Sequence, residues 1–524
     1  MTTYKRSLVW FRRDLRIDDQ TALWHALKDS EEVYGIFIFD PIFLKDLPSH
    51  DRRIAFIHGS LVEIDKHFQK FDSALLVEHG KSQDILIKLS KELKIDALYF
   101  NEDFEPMACQ RDKDVQKIMQ KLYIDCKTYQ DQAIIDPKIL FNLSKKPYTV
   151  YTPYFRAWQK IAIPQAIHAV ETSVSTDETS HLEKIAEHED AHNNKLAANL
   201  QKKTFKHLAK KSDQAALSKS HLPTLKQLGF ADAVSPTPVG SAGAYQLLDD
   251  FLNRIKNYHI DRNYPARNGQ SGLSMHLRHG TISIRAVARA AYAASLHAES
   301  REGAQTWISE LAWRDFFFQI LYHHPHLFKG SENRHHYSFK KPYDHIDWRT
   351  GKAAEKDLAA WCAGKTGYPI VDAAMRQLNE TGFMHNRLRM ITANFLCKDL
   401  GIDWRRGESY FEYQLNDFEL SSNNGNWQWA ASSGCDAQPF FRIFNPIEQS
   451  KKFDQKGEYI RKWVPELSHL SHTAIHAPWL ANKNVLKKAN VILGKDYPFP
   501  IVDHSQAREK TLTRYSVVKK KKAD

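Results

Sequence analysis

The feature that most constrains this chain is a change of rhythm along it. Short, almost wholly apolar runs occur at Ser7–Phe11, Val33–Phe39, Ala74–Val77 and Ala97–Phe100, and stretches with helical spacing, Ile54–Phe68 and Ile85–Leu93, lie between them. A strand buried on both faces reads as a continuous apolar run, and helices between such strands are the crossovers a parallel sheet requires. Residues 1–135 are therefore expected to form a doubly wound α/β domain with a parallel sheet, and ligands are expected at the carboxyl ends of its strands. No G-x-G-x-x-G follows the first strand, so a dinucleotide-type phosphate loop is not expected there. From Ala242 onward strand signals nearly vanish. Helical periodicity recurs at Ala244–Ile255, Ser283–Ser295, Thr306–Tyr322, Ala353–Ala363, Ile370–Glu380 and Arg387–Leu400. This predicts an all-helical domain over 241–510, with a basic tail at 511–524. Residues 136–240 are read as an interdomain connection. It holds a polar run, VETSVSTDETSHLEK, and a basic one, KLAANLQKKTFKHLAKK. The basic run is read as a solvated face, with nucleic-acid contact as the other reading.

Composition narrows the function classes. The chain has 524 residues, 42% of them hydrophobic, enough for a sizeable core in more than one domain. The formal net charge of +12 suits an anionic partner, nucleic acid first. Cys109, Cys126, Cys362, Cys397 and Cys435 show no C-x-x-C spacing. Neither a zinc site nor a disulfide framework is expected, and a reducing, cytoplasmic setting is. The opening MTTYKRSLVWFRRD has no apolar core of a secretory signal. No apolar run is long enough to span a bilayer.

Several constellations could carry chemistry. On a helix at Thr306–Tyr322, Trp307, Glu310, Arg314 and Phe317 share one face. Glu310 and Arg314 form a stabilising i, i+4 pair in the plain reading. In the sharper one they hydrogen-bond a planar heterocycle beside Trp307 and Trp313. Along Thr381–Leu400, Leu388, Ile391 and Phe395 mark the core face, while Asn386, Arg389, Met390 and Ala393 share the opposite one. Buried Asn and Arg must be satisfied, by a polar cofactor or by Asp417 or Glu419. The stretch NDFELSSNNGNWQW, Asn416–Trp429, reads as a polar loop that either enters a helix or approaches a ligand. NGQSGLS, Asn268–Ser274, precedes a helix whose first backbone N–H groups favour an anion. Spacing alone does not decide among these readings.

Together the segments resemble the photolyase/cryptochrome family over nearly the whole chain. The resemblance rests on LVWFRRDLRIDD (Leu8–Asp19), GKTGYPIVDAAMRQL (Gly364–Leu378), MHNRLRM (Met384–Met390) and SSNNGNWQWAASSGCDAQPFFRIFNP (Ser421–Pro446). It is most like the family's class I cyclobutane pyrimidine dimer branch. The resemblance implies FAD bound in the helical domain. Its phosphates would meet Tyr258 and Gln270, Ser271, Gly272, Leu273 and Ser274. Trp307 and Arg314 would line the pocket, Asn423 would lie beside the flavin ring, and Arg389 with Asp417 would form an ion pair near it, next to Phe418 and Glu419. Gln270 stands where members have Thr or Ser, and Glu419 where close relatives have Asp.

The resemblance also implies a substrate, damaged DNA. Glu310 would hydrogen-bond the pyrimidine edge of the flipped-out dimer, Trp313 and Trp429 would flank it, and Met390 would lie at its base with Asn386, which would also meet the cofactor. Arg262, Arg314, Arg387 and Arg442 would contact phosphates. Trp427, Trp404 and Trp348 would carry electrons from the surface to the flavin. A signalling cryptochrome and a (6-4) photolyase are the alternatives. The (6-4) enzymes carry His in the Asn386–Met390 region. A second, antenna chromophore is expected in the first domain, either 5,10-methenyltetrahydrofolate or 8-hydroxy-5-deazaflavin. Folate-binding relatives carry Asn-Glu where this chain has Met107 and Ala108. A monomer is expected.

Overall fold

The computed structural model describes residues 2–167, 205–210, 222–328 and 336–518. The chain divides into two compact units. The first comprises Met1–Leu140, Phe155–Lys256 and Ser271–Asp315; the second comprises Phe141–Tyr154, Asn257–Gln270 and Phe316–Asp524.

The first unit is built on a parallel five-stranded sheet, ordered β3-β2-β1-β4-β5. Its strands are β1 (Tyr4–Phe11), β2 (Ser30–Phe39), β3 (Leu75–His79), β4 (Ala97–Asn101) and β5 (Asp125–Tyr129). Val9 lies opposite Gly35 on one side and Tyr99 on the other. Because side chains alternate along a strand, β1 feeds two cores. Val9 and Phe11 pack with α1 (Thr21–Asp29) and α2 (Arg52–Gln69), and Leu8 and Trp10 pack with α3 (Ser82–Leu93) and α4 (Pro106–Lys121). This is the expected doubly wound α/β arrangement, with its order reversal at β1/β4.

Two elements were not expected. The edge strand β5, DCKTY, is polar and half exposed, as edges are. Helix α4 buries only Ala108, Asp112, Val115 and Met119, too thin a stripe to read as a helical face. A third difference concerns the basic run read as a solvated face. Its described part, 205–210, forms a rib beside β2, with Leu208 bridged to Val33 and Phe205 and Leu208 in the core. The remainder of that run lies outside the described residues.

The charged run that follows β1 folds inward. Arg16 and Arg285 both grip Asp131, at 2.6 and 2.8 Å, and Arg285 also reaches Asp19 at 2.9 Å. Burial alone would raise the Asp131 carboxyl, but the two guanidiniums hold it well below the usual carboxylate range. LVWFRRDLRIDD thus ends in a buried strut between the sheet and a later helix of the same unit.

The remaining described helices of six residues or more are α5 (Tyr151–Ile167), α6 (Gly240–Leu252), α7 (Ser274–His279), α8 (Ile284–Leu296), α9 (Arg301–His323), α10 (Lys352–Cys362), α11 (Pro369–Thr381), α12 (Asn386–Asn394), α13 (Trp404–Gln414), α14 (Leu420–Ala431), α15 (Pro446–Phe453), α16 (Glu458–Trp463), α17 (Lys483–Lys488) and α18 (His504–Arg514). The second unit's core gathers Trp361, Met375, Leu388, Leu396, Trp404, Phe411 and Trp427, all buried. The helix expected over Arg387–Leu400 is α12 followed by a π-helical turn, Phe395–Asp399. Such turns interrupt the bonding ladder and are enriched at functional sites.

The described part of the expected basic tail, residues 511–518, is helical. Thr511 Oγ1 donates to the Lys398 carbonyl of the π turn, and Tyr515 OH donates to the Ala431 carbonyl at 3.0 Å. Both side chains are buried, so this end of the chain is anchored by backbone carbonyls that would otherwise lack donors. Among the described residues no helix is long and apolar enough to cross a membrane.

Candidate active site

In the second unit the site is organised around α12. Its start is set by an unusual cap: Nδ1 of buried His385 accepts the Arg387 N–H at 3.1 Å. Burial, aided by Arg387, Arg389 and Arg262, pushes this imidazole down to about 3. It therefore stays neutral, keeps the Nδ1 lone pair for the cap and carries its proton on Nε2. Sequence reasoning missed His385, because capping preferences favour Ser, Thr, Asp and Asn.

From that cap the helix turns Leu388 and Ile391 into the core. Asn386 is exposed, and Arg389 and Met390 are half-buried. Arg389 Nε donates to the Met384 carbonyl at 2.8 Å, and Nη2 donates to both Asp417 oxygens at 2.8 and 3.1 Å. Of the two carboxylates considered for Arg389, Asp417 thus holds it, while Glu419, two residues on, is buried.

The stretch expected as a polar loop is mostly helix. After the turn Asn416–Glu419, α14 begins at Leu420, so Asn423 and Asn424 lie inside it and are buried. Packing overrides the poor helix propensity of SSNNGN. A Cβ on Gly425 would sit 2.2 Å from the Phe317 ring, so only glycine lets α14 approach α9 there. Asn423 Nδ2 donates to the Glu408 carbonyl of α13 at 3.1 Å. Asn423 Oδ1 and its second N–H make no bond within the described residues.

Glu408, also missed from sequence, anchors this corner. Its buried carboxylate accepts from His336 Nδ1 at 2.9 Å and from Asn424 Nδ2 at 2.8 Å. Burial opposes a charge on His336, but Glu408 outweighs it, and the imidazole is shifted upward overall.

The other expected residues of this unit fall as follows. Trp427 is enclosed by Phe411 at 5.0 Å and Trp361 at 6.2 Å. Trp404 is fully buried with Arg405 over its ring, and Trp348 is half-buried, edge-on to Tyr515 at 5.9 Å. Trp429 lies edge-on to Phe444, whose N–H bonds Asn394 at the end of α12. Arg387 donates to Asn263 and lies over Phe453, and Arg262 lies over the buried Tyr258. Arg442 is exposed, and Phe418 and Gln270 are half-buried.

In the first unit, Ser271, Gly272 and Leu273 lead into α7, which starts at Ser274. Gly272 adopts φ +72°. That start has no side-chain cap. Trp307 is buried against Phe251 at 4.6 Å. Glu310 and Trp313 are half-buried on α9. Arg314 donates to the Gln132 carbonyl and, at 3.1 Å, to that of Leu277. The next residue, Asp315, was not foreseen. It is buried, accepts from the Ile134 and Ile135 N–H groups and from Trp158 Nε1, and is pushed up by burial to about 6.

The family model for DNA photolyase matches residues 7–173, and that for the FAD binding domain of DNA photolyase matches 307–517. The chain belongs to the DNA photolyase family. It is 38% identical over 517 residues to a deoxyribodipyrimidine photo-lyase of Synechococcus sp., covering 98% of this chain and 96% of that one. A crystal structure of a bacterial class III photolyase from Agrobacterium tumefaciens is 35% identical, with TM-score 0.79 over 99% of this chain and 98% of that one. An archaeal photolyase from Sulfolobus tokodaii, with two FAD molecules, is 30% identical, with TM-score 0.72 over 97% and 99%. The donors present suit FAD: a guanidinium oriented by a carboxylate, and a buried carboxamide with an acceptor oxygen and one N–H to offer.

Proposed function

We propose that the chain repairs cyclobutane pyrimidine dimers in DNA with light. The observation that carries this reading is the open face of α12. There Asn386 and Met390 are presented by a helix whose cap and Arg389–Asp417 pair fix its position. Reduced FAD, when bound, supplies one light-driven electron to the dimer and recovers it after the cyclobutane ring opens. The protein's work is then orientation and electrostatics.

By resemblance, Glu310 accepts from the pyrimidine edge and Asn386 offers its amide. Trp313 and Trp429 give stacking surfaces, worth about 1–3 kcal/mol per base. Arg262, Arg387 and Arg442 neutralise phosphates and supply salt-dependent affinity. Asn423 and the Arg389–Asp417 pair meet the flavin ring. Gln270, Ser271, Gly272, Leu273 and Ser274, with Tyr258, meet the phosphates. Trp348, Trp404 and Trp427 form the path by which oxidised flavin is returned to its reduced form.

His385 argues against the (6-4) alternative. It precedes Asn386 in the chain, and its Nδ1 is committed to the helix cap while its pKa is too low for acid–base chemistry near neutrality. A repair assay on defined lesions in blue light tests the proposal. Reversal of cyclobutane dimers above a dark control is expected. Reversal of (6-4) products alone, or of neither lesion, would overturn it.

For a second chromophore in the sheet unit, Met107 is exposed and Ala108 buried where folate binders carry Asn-Glu. This weakens the case for 5,10-methenyltetrahydrofolate and leaves 8-hydroxy-5-deazaflavin as the other candidate. Identification of the chromophores released from the purified protein decides between them. The chain is proposed to act as a cytoplasmic monomer.

A further inference from the structure

Lys398 is a charged side chain in the wrong place for an ordinary surface lysine. It lies in the π-helical turn Phe395–Asp399 with no exposed surface. Its Nζ donates to Ser432 Oγ at 3.0 Å and to the Phe440 carbonyl at 3.4 Å. No carboxylate lies within ion-pair distance of it among the described residues. Its neighbour Asp399 is bonded to His504 Nδ1 at 2.6 Å instead. A buried ammonium without a counter-ion is strongly disfavoured, and burial pushes Lys398 down to about 7.

What Lys398 touches gives this charge a consequence. Its Nζ stands 3.6 Å from the centre of the Tyr515 ring. The same ring is edge-on to Trp348 at 5.9 Å, with an interplanar angle of 89°. The buried ammonium and the half-buried indole thus share one buried aromatic neighbour, and on the ammonium side charges are poorly screened. Trp348 Nε1 is buried and has no acceptor among the described residues. No protein group is therefore placed to take the indole proton as the electron leaves, so the outward step puts a positive charge on Trp348 close to Lys398.

We propose that Lys398 is an electrostatic brake on the oxidation of Trp348, and hence a positioning residue for charge on the tryptophan path. The inference rests on the reading of Trp427, Trp404 and Trp348 as that path. In the braked step Trp348 loses one electron and oxidised Trp404 regains one. No bond changes and no proton moves, and an external thiol then re-reduces Trp348. While Lys398 is an ammonium, the cation on Trp348 is raised in energy and the hole returns inward. When Lys398 is neutral, the outward step proceeds.

Other titratable groups face this cluster. From the π turn itself, burial raises Cys397 far above neutrality and Asp399 to about 6. From the end of the chain come His504, Arg514, whose Nε is on the Asp347 carbonyl, and Tyr515, which is held neutral by burial. Tyr343 is edge-on to Tyr515, and burial raises it as well. Asp403 caps α13 and pairs with Arg405. Lys340 reaches the Ser432 carbonyl and is shifted down by burial, while Cys435 near it is pushed up to about 12. Asp436 adds a carboxylate beside Lys340.

The test is flash photoreduction of the oxidised holoenzyme with a thiol donor, followed from about pH 6 to about pH 9, the span over which a lysine lowered this far titrates. In the wild type the yield of long-lived Trp348 oxidation should rise several-fold with pH. Lys398→Met should sit at the high-pH yield throughout, and Lys398→Arg, which keeps its charge, at the low one. Dimer repair by enzyme reduced chemically beforehand should be the same in all three. A wild-type yield that is flat with pH overturns the proposal even if a variant fails to fold. So does a Lys398→Met protein that keeps the wild-type pH dependence. Trp348→Phe separates the two layers: undiminished photoreduction in that variant would remove the tryptophan path itself rather than the brake.

Discussion

Gly407 sets local preference against packing, and the outcome of Gly407→Ala can be worked out. Gly407 is the fourth residue of α13. Replacing a helical glycine by alanine normally stabilises by about 1 kcal/mol. Here the new Cβ would lie 2.1 Å from Cη2 of Trp427, 2.5 Å from its Cζ3 and 2.6 Å from Leu396 Cδ2. That is more than an ångström inside ordinary contact. Trp427 is only 2% exposed and is walled in by Phe411 and Trp361, so it has no free direction of retreat. Overpacking at a site that cannot relax costs about 1–3 kcal/mol, and an overlap this deep belongs at the upper end. The balance is a loss of about 2 kcal/mol, read as a lower denaturation midpoint of the flavin-loaded protein. Because the displaced group is Trp427, flavin retention and the flash-photoreduction rate should fall as well. A Gly407→Ala protein more stable than the wild type, with unchanged photoreduction, would refute the reasoning.

Other perturbations follow from the same geometry. Asp417→Ala strands the Arg389 guanidinium, and flavin affinity measured by fluorescence titration should drop at least ten-fold, or about 1.4 kcal/mol; unchanged affinity would detach this pair from the cofactor. Asp315→Ala leaves two backbone N–H groups and an indole N–H without their acceptor, and unfolding should show a loss of about 3–5 kcal/mol. The His336 pKa is raised by Glu408, so its contribution to stability is full below the ordinary histidine value of about 6.5 and is lost as pH climbs through the raised one. A pH series of unfolding curves should show that decline in the wild type and not in His336→Gln. Arg442→Ala should weaken DNA binding across sequences and lower the salt slope of log K by about 1.

How far the chain could be read in advance depended on how many residues share a signal. Four strands of the sheet are apolar on both faces, so each residue repeats the same message. The fifth, Asp125–Tyr129, is half exposed along its length and is written in polar residues that a loop would also use. The helical half was visible where a wide stripe repeats, as in Pro369–Thr381. It was misread at Asn416–Trp429, because Ser, Asn and Gly in a row favour turns, and only the Phe317 ring and the Glu408 carbonyl, distant in sequence, explain why they are helical.

The same distinction separates the parts of the site. Arg389 was legible as an inward guanidinium in need of a partner, with Asp417, Glu419 and a polar cofactor as the candidates, and the resemblance pointed to Asp417. His385, Glu408 and Lys398 were not, and the reason is common to all three. Each is a polar group whose partner is a backbone atom, an aromatic face or a residue many positions away, and none belongs to a local pattern. Yet each is buried, and a buried polar group survives only where its surroundings suit one protonation state. At His385 that state is neutral and fixes the start of α12. At Glu408 it is an acceptor for both His336 and Asn424. At Lys398 the surroundings support neither state strongly, since among the described residues the ammonium has two neutral acceptors and one ring but no carboxylate. A group balanced in this way, one aromatic ring from Trp348, can respond to pH as a fully paired lysine cannot.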